Sequence, residues 1–381
     1  MVSPLPDHEE WISTGLYLSP GMKTDIEFPP HLVGKNWMVQ IGCQSDNFRK
    51  KDVLKRAPVV CERFPVDDDI VQVWNLWGGL IYLVAPPKFQ VQRGAEIVVR
   101  TAVQAPYYKS GETTVYHWLM SIRGYPAPWA ELEFENLIIT LNSEFIRDLE
   151  RPDLVAEQWD AVMRGMADLA AKPAKFPRKE RFVADVQISA GFMHAGYPIM
   201  MQAPSAPDLL KLTGKKDPWG PIHELGHNQQ LHVWEFSSHT GEATNNLWSV
   251  FILETVYGLQ WSDALGELKP SNRSRRIQDY IKGGRKLEDW SVFVALETYL
   301  QLQEKFGWDA FKRFFGAYHN MEGVPHDKTG KMNTFVETFS KVVNRNLTSF
   351  FKAWGWPIEA ATEEKLSGLP AWSDHPMAQY A

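Results

Sequence analysis

The pentapeptide His223-Glu224-Leu225-Gly226-His227, with Glu242 fifteen positions after its last histidine, decides how the rest of the chain is interpreted. On a helix, residues i and i+4 lie one above the other on the same face. Two imidazoles and a carboxylate are suitable zinc ligands, and a catalytic zinc leaves a fourth position for water. We therefore predict that His223, His227 and Glu242 bind Zn2+. Glu224 lies beside the metal face without being a ligand, as expected of a catalytic base that takes a proton from zinc-bound water.

The helices around this motif have recognisable ends. Asp217-Pro218 predicts a helix start, with a capping carboxylate followed by a proline at the first helical position. A second helix is predicted from Thr240, as N-cap, to a stop near Gly258. Glu242 then lies in the first turn of a separate helix, where a third ligand is expected. The alternative interpretation is a chance or decayed HExxH, and these helix ends weigh against it.

Hydrolysis of a peptide bond also needs a hydrogen-bond donor for the oxyanion of the tetrahedral intermediate. Tyr197 and His194 rank first as catalytic residues for this role, because their glycine-bracketed loop is predicted to form the rim of the cleft. For each candidate the competing interpretation is a packed or solvated side chain. The further candidates are His232, His239 and Tyr257.

Two amides follow the predicted glutamate ligand at helical spacing. Asn245 and Asn246 come three and four residues after Glu242, on the same face of the predicted helix. One of them is predicted to orient the carboxylate or a histidine from behind. A plain amide on the helix surface is the alternative.

Composition excludes several classes of function. The chain has 381 residues with 40 basic and 46 acidic side chains, a net charge of −6, so no nucleic-acid partner is expected. The longest apolar run, Leu76 to Val84, is too short for a transmembrane segment. No signal peptide is visible at the N-terminus, and only two cysteines are present. A cytoplasmic location, or one peripheral to the plasma membrane, is expected, with secretion left open.

Residues 1–128 are predicted to form a β-sandwich-like N-terminal domain. Short apolar and β-branched runs recur there, separated by clusters of Pro, Gly and Asp. The boundary is placed at 124–128, a segment rich in glycine and proline. The predicted strands are Trp37–Cys43, Pro58–Cys61, Leu76–Val84 and Ile97–Val103.

Residues 129–381 are predicted to form a second domain that begins with strands and becomes mostly helical, which makes the fold class α+β. The predicted strands are Glu131–Glu135, Leu137–Leu141 and Phe182–Ile188, and a helix begins at Asp153. Beyond Gly258 the predicted helices are Arg275–Lys282, Leu287–Glu304, Ala310–His319, Thr334–Val343 and Leu347–Ala353.

Several segments resemble one known family. Trp219–Gln230 together with Gly241–Ser249 resembles the M60-like (enhancin-type) zinc metallopeptidases, whose signature is HExxH with a downstream glutamate at variable spacing. Asp185–Gly191, Ala105–Lys109 and Glu297–Gln303 resemble the C-terminal M60-like region of animal TRP-channel-associated factors. The resemblance covers nearly the whole chain.

The resemblance implies a β-sandwich-like N-terminal part and a mostly helical, gluzincin-type catalytic part. Bacterial and viral members act on mucins and other O-glycosylated proteins, which implies a protein or glycoprotein substrate. Some of the sixteen tryptophans would then face sugar, whereas core packing is the simpler interpretation of each ring. The channel-associated members imply a membrane channel as a partner, but this chain lacks their longer N-terminal half.

Three hypotheses about function follow from these observations. The leading one is a zinc endopeptidase, which the intact Glu224 favours because a structural zinc needs no general base. The alternative is a catalytically silent, zinc-containing interaction module that regulates a membrane channel, which the absence of a visible signal peptide favours. A glycan-binding module that uses tryptophans is a weaker third idea.

Overall fold

The computed structural model describes residues 7–89, 95–212, 218–236 and 240–380. The chain divides into two compact units. The first comprises residues 1–163 and 175–213, and the second comprises residues 164–174 and 214–381. The predicted boundary at residue 128 stays a prediction, because a division by packing does not say which segments fold independently.

The first unit begins with two antiparallel sheets that form a sandwich. The strands are β1 (Glu10–Leu18), β2 (Lys23–Glu27), β3 (Met38–Ile41), β4 (Glu62–Pro65), β5 (Ile70–Trp74), β6 (Gly79–Ala85), β7 (Val98–Val99) and β8 (Val103–Gln104). A five-stranded sheet has the order β4-β3-β6-β1-β8, and a three-stranded sheet has the order β5-β2-β7. Residues in β5 alternate between exposed and buried, as a strand with one face on a core does.

A six-stranded mixed sheet completes the first unit. Its strands are β9 (Tyr107–Lys109), β10 (Trp129–Glu133), β11 (Leu137–Asn142), β12 (Glu180–Asp185), β13 (Met193–His194) and β14 (Ile199–Gln202). Their order is β13-β14-β12-β11-β10-β9, and β11, β12 and β14 are parallel neighbours. A second apolar core, which includes Tyr82 and Leu80 of the sandwich and Val183 and Met200 of the mixed sheet, joins the two parts of the unit.

The remainder of the described chain is mostly helical. The α-helices are α1 (Val115–Met120), α2 (Pro152–Leu169), α3 (Trp219–His227), α4 (Thr240–Thr255), α5 (Trp261–Ala264), α6 (Pro270–Lys282), α7 (Val292–Phe306), α8 (Trp308–Tyr318), α9 (Lys328–Val343), α10 (Thr348–Ala353) and α11 (Ala360–Leu366). Short 3-10 helices cover Ile122–Gly124, Ser143–Ile146, Ala203–Leu210, His232–Trp234, Gly266–Leu268, Leu287–Asp289 and Ala378–Tyr380. The predicted α+β class is confirmed: the described strands end at Gln202, α1 and α2 lie among them, and the helices from α3 onward follow.

Two strand predictions are wrong in position. Pro58–Cys61 is irregular, since a proline has no N–H for a ladder and the Val60 carbonyl accepts a hydrogen bond from the Asn75 side chain instead. Leu76 and Trp77 lie in a turn, and β6 begins only after Gly78, whose φ of 68° ends the turn.

Other elements were missed or merged by the sequence patterns. Strand β1 was not predicted, because a bulge between Ser13 and Tyr17 interrupts its alternation of apolar and polar residues. Strand β2 and helices α5 and α11 were not predicted either. The predicted strand Ile97–Val103 is two short strands, β7 and β8. The predicted helix Leu287–Glu304 is a 3-10 turn followed by α7, which begins at the capping residue Ser291.

The cysteines and the helices can also be compared with the sequence predictions. Cys43 and Cys61 are both free thiols in the structure. No helix within the described ranges combines the length and the apolar character that crossing a bilayer requires.

A buried ion pair joins the sandwich to the mixed sheet within the first unit. The side chains of Arg181 and Glu131 are 0% and 2% exposed and form a direct salt bridge. Glu131 Oε1 also accepts hydrogen bonds from the Tyr82 hydroxyl and the Thr140 hydroxyl, each at 2.9 Å. Arg181 Nη2 donates to the carbonyl of Trp11 at 2.9 Å. Because neither charge has access to water, each depends on the other to remain buried.

We predict that Arg181→Met lowers the free energy of unfolding of the first unit by about 3–5 kcal/mol, because it leaves the Glu131 carboxylate buried without a counter-charge. Urea denaturation checks this value. The double variant Arg181→Met/Glu131→Gln should recover part of the loss. Arg100→Met breaks the exposed pair with Glu27 and should cost less than about 1 kcal/mol. Equal losses for the buried and the exposed pair would contradict the prediction.

Candidate metal centre

Helix α3 of the second unit carries both motif histidines. Pro218 is the N-cap residue and the helix begins at Trp219, so the prediction of a proline at the first helical position is wrong by one residue. The predicted cap Asp217 lies outside the described residues. The apolar side of α3, including Ile222 and Leu225, is fully buried. The imidazoles therefore share the opposite, half-exposed face.

Helix α4 brings the third residue close to these imidazoles. Thr240, the predicted N-cap, is the first residue of α4, and its hydroxyl accepts a hydrogen bond from the backbone N–H of Phe236. Glu242 follows in the first turn. The two helices approach closely at Gly226, where an added Cβ would lie 2.7 Å from the backbone oxygen of Asn245. Only glycine fits this crossing without displacing one helix.

The three predicted ligands converge on one point. Glu242 Oε2 lies 3.1 Å from His223 Nε2 and 3.5 Å from His227 Nε2. One ligand atom from each of the three residues lies within 4.8 Å of the others. Ligands about 2.0–2.1 Å from a tetrahedral zinc lie about 3.3 Å apart, close to these separations. The donor set and its spacing therefore fit zinc.

An amide behind His223 fixes its tautomer. Asn246 Nδ2 donates to the backbone carbonyl of Glu242 at 2.6 Å, which turns Asn246 Oδ1 toward the imidazole. His223 Nδ1 lies 2.7 Å from that oxygen and must donate to it. Nε2 is then the nitrogen that is available to a metal ion. Of the two asparagines proposed from the sequence to orient a ligand, Asn246 bonds to a histidine in this way.

A second amide, which the sequence did not identify, does the same for His227. Gln230 Nε2 donates to the carbonyl of Gly241 and to the hydroxyl of Thr244, each at 2.6 Å. Gln230 Oε1 therefore faces His227 Nδ1, at 2.8 Å, and accepts its proton. The signal for Gln230 was its position three residues after His227, within reach of the same helix face.

Asn245 borders the same space. It is fully buried, and its Nδ2 lies 3.0 Å from His223 Nε2 and 2.9 Å from His227 Nε2. Its Oδ1 is buried and has no hydrogen-bond partner among the described residues. The Asn245 amide is therefore within hydrogen-bond distance of the same two nitrogens that face Glu242.

The charges of the site suit a cation. Hydrogen bonds with His223 and His227 hold the pKa of Glu242 well below its usual range, so the carboxylate is ionised at neutral pH. Burial lowers the pKa of His227, but hydrogen bonds to Glu242 and Gln230 and the charge of Glu224 raise it more. An ionised carboxylate facing two imidazole nitrogens suits a cation, either a proton or a metal ion.

Glu224, the predicted general base, is buried on α3. It lies between the two histidines on α3, and only 8% of it is exposed. Its negative charge is one of the influences that raise the pKa of His227. A buried carboxylate beside a metal site is well placed to exchange protons with a substrate.

The two leading candidates for the oxyanion donor belong to the first unit and have partners there. The Tyr197 hydroxyl accepts a hydrogen bond from the backbone N–H of Trp11 at 3.0 Å, and the guanidinium of Arg178 lies 3.8 Å from the centre of its ring. His194 Nε2 lies 2.9 Å from Asp46 Oδ2, and its Nδ1 lies 3.0 Å from the Ala195 carbonyl. Their catalytic role stays a prediction.

The lesser candidates lie in the second part of the chain. His232 is exposed on a 3-10 turn, and its backbone carbonyl accepts a hydrogen bond from Lys331 at 2.7 Å. Tyr257 follows the end of α4, about 22 Å along the helix from Glu242 at 1.5 Å per residue, which argues against contact with the oxyanion. His239 lies outside the described residues.

Family models match the chain over nearly its whole length. The model described as "Peptidase M60, enhancin and enhancin-like" matches residues 101–355. The model described as "N-terminal domain of M60-like peptidases" matches residues 7–100. The metal centre lies within the first of these matches.

Known relatives and solved structures agree with this assignment. A TRPM8 channel-associated factor homolog from Danio rerio is 64% identical over 375 residues, which are 98% of this chain and 41% of that protein. The chain thus spans about two fifths of that relative. A Bacillus anthracis protein of unknown function has a similar structure (TM-score 0.79, 21% identity, 99% of this chain and 76% of that one). The catalytic module of the metalloprotease ZmpA from Clostridium perfringens also has a similar structure. Its TM-score is 0.71 at 15% identity, and the match covers 97% of this chain and 76% of that one.

We predict that Asn246→Ala and Gln230→Ala each lower zinc affinity by about 10- to 100-fold, because the acceptor that orients one imidazole is lost. Competition with a chromogenic chelator measures the affinity. Glu242→Ala, which removes a ligand, should lower it further. The control is Gln260→Ala, at an exposed glutamine of the same unit, which should bind zinc as the wild type does. Unchanged affinity in both test variants would refute the orienting role.

We also predict that Gly226→Ala weakens zinc binding by at least about 10-fold and lowers the melting temperature. The added methyl group would lie 2.7 Å from the Asn245 backbone oxygen and must push α4 away from α3. Chelator competition and thermal denaturation are the two measurements. Gly266→Ala is the matched control, because an added Cβ there meets nothing within 4 Å. Equal zinc affinity in the two variants would contradict the steric argument.

Proposed function

Since the chain belongs to the M60 (enhancin and enhancin-like) peptidase family, we propose that it is a zinc-dependent endopeptidase. The observation that carries the proposal is the convergence of two imidazole nitrogens and a carboxylate oxygen within 4.8 Å, with a buried glutamate between the two histidines. When bound, zinc would polarise the scissile carbonyl and acidify a water molecule. His223, His227 and Glu242 would hold it.

The residues of this chain would supply proton transfer and orientation. Glu224 takes a proton from the attacking water and returns it to the leaving amine. His223 and His227 are held by Asn246 and Gln230, so their Nε2 atoms stay directed at the centre. We retain Tyr197 as the proposed donor to the oxyanion, with His194 as the alternative.

We further propose that the substrates are O-glycosylated, mucin-like proteins. The support is the resemblance to family members that act on such substrates. Of the sixteen tryptophans, most belong to the core, but the rings of Trp74 and Trp77 are 48% and 51% exposed. Exposed aromatic rings are suitable surfaces for sugar stacking.

A second candidate function is a catalytically silent, zinc-containing module that regulates a membrane channel. It is favoured by the 64% identity to a protein named for its association with the TRPM8 channel. A location in the cytoplasm or at the periphery of the plasma membrane would suit this function, and the free thiols of Cys43 and Cys61 are compatible with it.

Incubation with an O-glycosylated mucin fragment distinguishes the two functions. We predict products that appear with the wild type and not after chelation of the metal, as resolved by mass spectrometry. Glu224→Gln should retain zinc but lose at least about 100-fold in turnover, because proton transfer is removed while all three ligands remain. Zinc-loaded wild-type protein that cleaves neither glycosylated nor bare substrates would favour the silent module. Near-normal turnover in Glu224→Gln would refute the base assignment.

A further inference from the structure

Three connections leave the same end of the N-terminal sandwich. Strand β1 ends and β6 begins there, since Leu18 pairs with Gly79, and β3 ends beside them at Ile41. The Asn75 side chain joins two of the connections by donating to the carbonyls of Ile41 and Val60, at 3.0 and 2.8 Å. We call these connections the end loops; they are residues 19–22, 42–61 and 75–78.

The end loops expose large apolar side chains. Such residues are normally scattered singly over a soluble surface, whereas here each of the three loops contributes at least one. Two of the end-loop residues, Leu76 and Trp77, are neighbours at the tip of the β5–β6 turn. The exposed fractions are 50% for Met22, 73% for Val53, 46% for Leu54, 61% for Leu76 and 51% for Trp77.

The longest end loop is also strongly basic. Seven consecutive residues, 49–55, are exposed and contain four cations and one acid, Asp52, a net charge of +3 (4 − 1) in a chain whose total is −6. None of these four cations forms an ion pair with another described residue, whereas the next one, Arg56, pairs with Asp185 at 2.8 Å. The four are Arg49, Lys50, Lys51 and Lys55.

The backbone of this basic loop is anchored at both ends. Phe48 is fully buried, and the guanidinium of Arg56 lies 4.2 Å from the centre of its ring. The Gln187 side chain accepts from the Lys55 N–H at 2.7 Å and donates to the Val53 carbonyl at 3.0 Å. The structure therefore presents the cations and the apolar side chains outward without having to order the loop first.

We propose that the end loops bind the surface of an anionic phospholipid bilayer. Such a surface binds exposed apolar side chains and unpaired cations together. The acyl chains accept the apolar side chains, and the phosphate and carboxylate headgroups attract the cations. Tryptophan is well suited to the boundary between headgroups and acyl chains. An acidic peptide is the other class of partner that cations attract, but acidic side chains offer no apolar contact to Val53, Leu54, Leu76 and Trp77, which are 46–73% exposed.

Co-sedimentation of the whole chain with vesicles tests the proposal. Vesicles of phosphatidylcholine containing phosphatidylserine should bind the protein, and pure phosphatidylcholine vesicles should bind it at least about 10-fold more weakly. High salt should reduce the difference, since screening weakens exposed charges. Equal binding to the two kinds of vesicle, or no binding to either, would overturn the proposal.

The basic residues are tested by Lys50→Ala/Lys51→Ala. Each lysine near an anionic surface contributes about fivefold to partitioning, so the double variant should bind phosphatidylserine vesicles about 25-fold more weakly. Lys269→Ala/Lys328→Ala removes the same charge at exposed lysines of the second unit and should bind as the wild type does. If both variants lose binding equally, the net charge and not the loop is responsible, and the proposal fails.

The apolar residues are tested by Leu76→Ala/Trp77→Ala, which should weaken vesicle binding by at least about 10-fold at unchanged charge, since large apolar side chains no longer enter the headgroup region. Tyr116→Ala/Met120→Ala is the control, because these residues of α1 are 68% and 65% exposed. Equal loss in both variants would contradict a role for this end of the sandwich.

Two further measurements separate membrane binding from peptidase activity and from recognition of an acidic protein. Glu224→Gln should bind vesicles as the wild type does, because the peptidase proposal concerns other residues. A competing polyglutamate peptide distinguishes the partner classes. If the protein binds that peptide through Lys50 and Lys51 but ignores the vesicles, the end loops recognise an acidic protein and the membrane proposal is wrong.

Discussion

The metal centre depends on the close approach of two helices at a residue without a side chain. At Gly226 there is no space for a Cβ between α3 and the backbone of α4. This contact places the first turn of α4 against the histidine face of α3, so that Glu242 Oε2 comes within 3.1–3.5 Å of both imidazoles. Atoms with lone pairs repel at these distances unless a cation lies among them. The packing thus favours a positive charge among these three side chains, either a proton or a metal ion.

The amides around the centre determine which nitrogen of each imidazole faces this positive charge. Neutral imidazole has two tautomers, and only the one protonated on Nδ1 directs a lone pair from Nε2 at the metal. Asn246 and Gln230 select that tautomer because backbone carbonyls hold their own NH2 groups, which leaves only their oxygens to face the rings. The orientation of each imidazole therefore depends on the backbone carbonyls that hold the neighbouring amide.

The motif predicted more of the site than of the architecture. The i, i+4 spacing predicted that His223 and His227 share a face, because helical periodicity converts positions in the sequence into positions on a face. Glu242 was predicted from its place in the first turn of a second helix, and the three side chains do come together. Gly226 was not identified, since its role depends on how α3 and α4 pack, which no local pattern encodes. Gln230 lies at a helical spacing from His227, but its role becomes evident only when Gly241 and Thr244 of α4 hold its amide. Strand β1 was missed for a similar reason. A bulge interrupts its alternation of apolar and polar residues, whereas pairing with the neighbouring strands tolerates the bulge.

The polar side chains of α4 indicate that function and not stability determines this helix. Thr244, Asn245, Asn246 and Ser249 are all buried, where apolar residues would stabilise the fold without needing partners. Thr244 and Asn246 have partners, but Ser249 Oγ and Asn245 Oδ1 are buried without one among the described residues, which costs about 1–3 kcal/mol each. Asn245 Nδ2, and not this oxygen, faces the imidazole nitrogens. Since metal binds the folded site and not the unfolded chain, occupancy and stability of the second unit should be coupled.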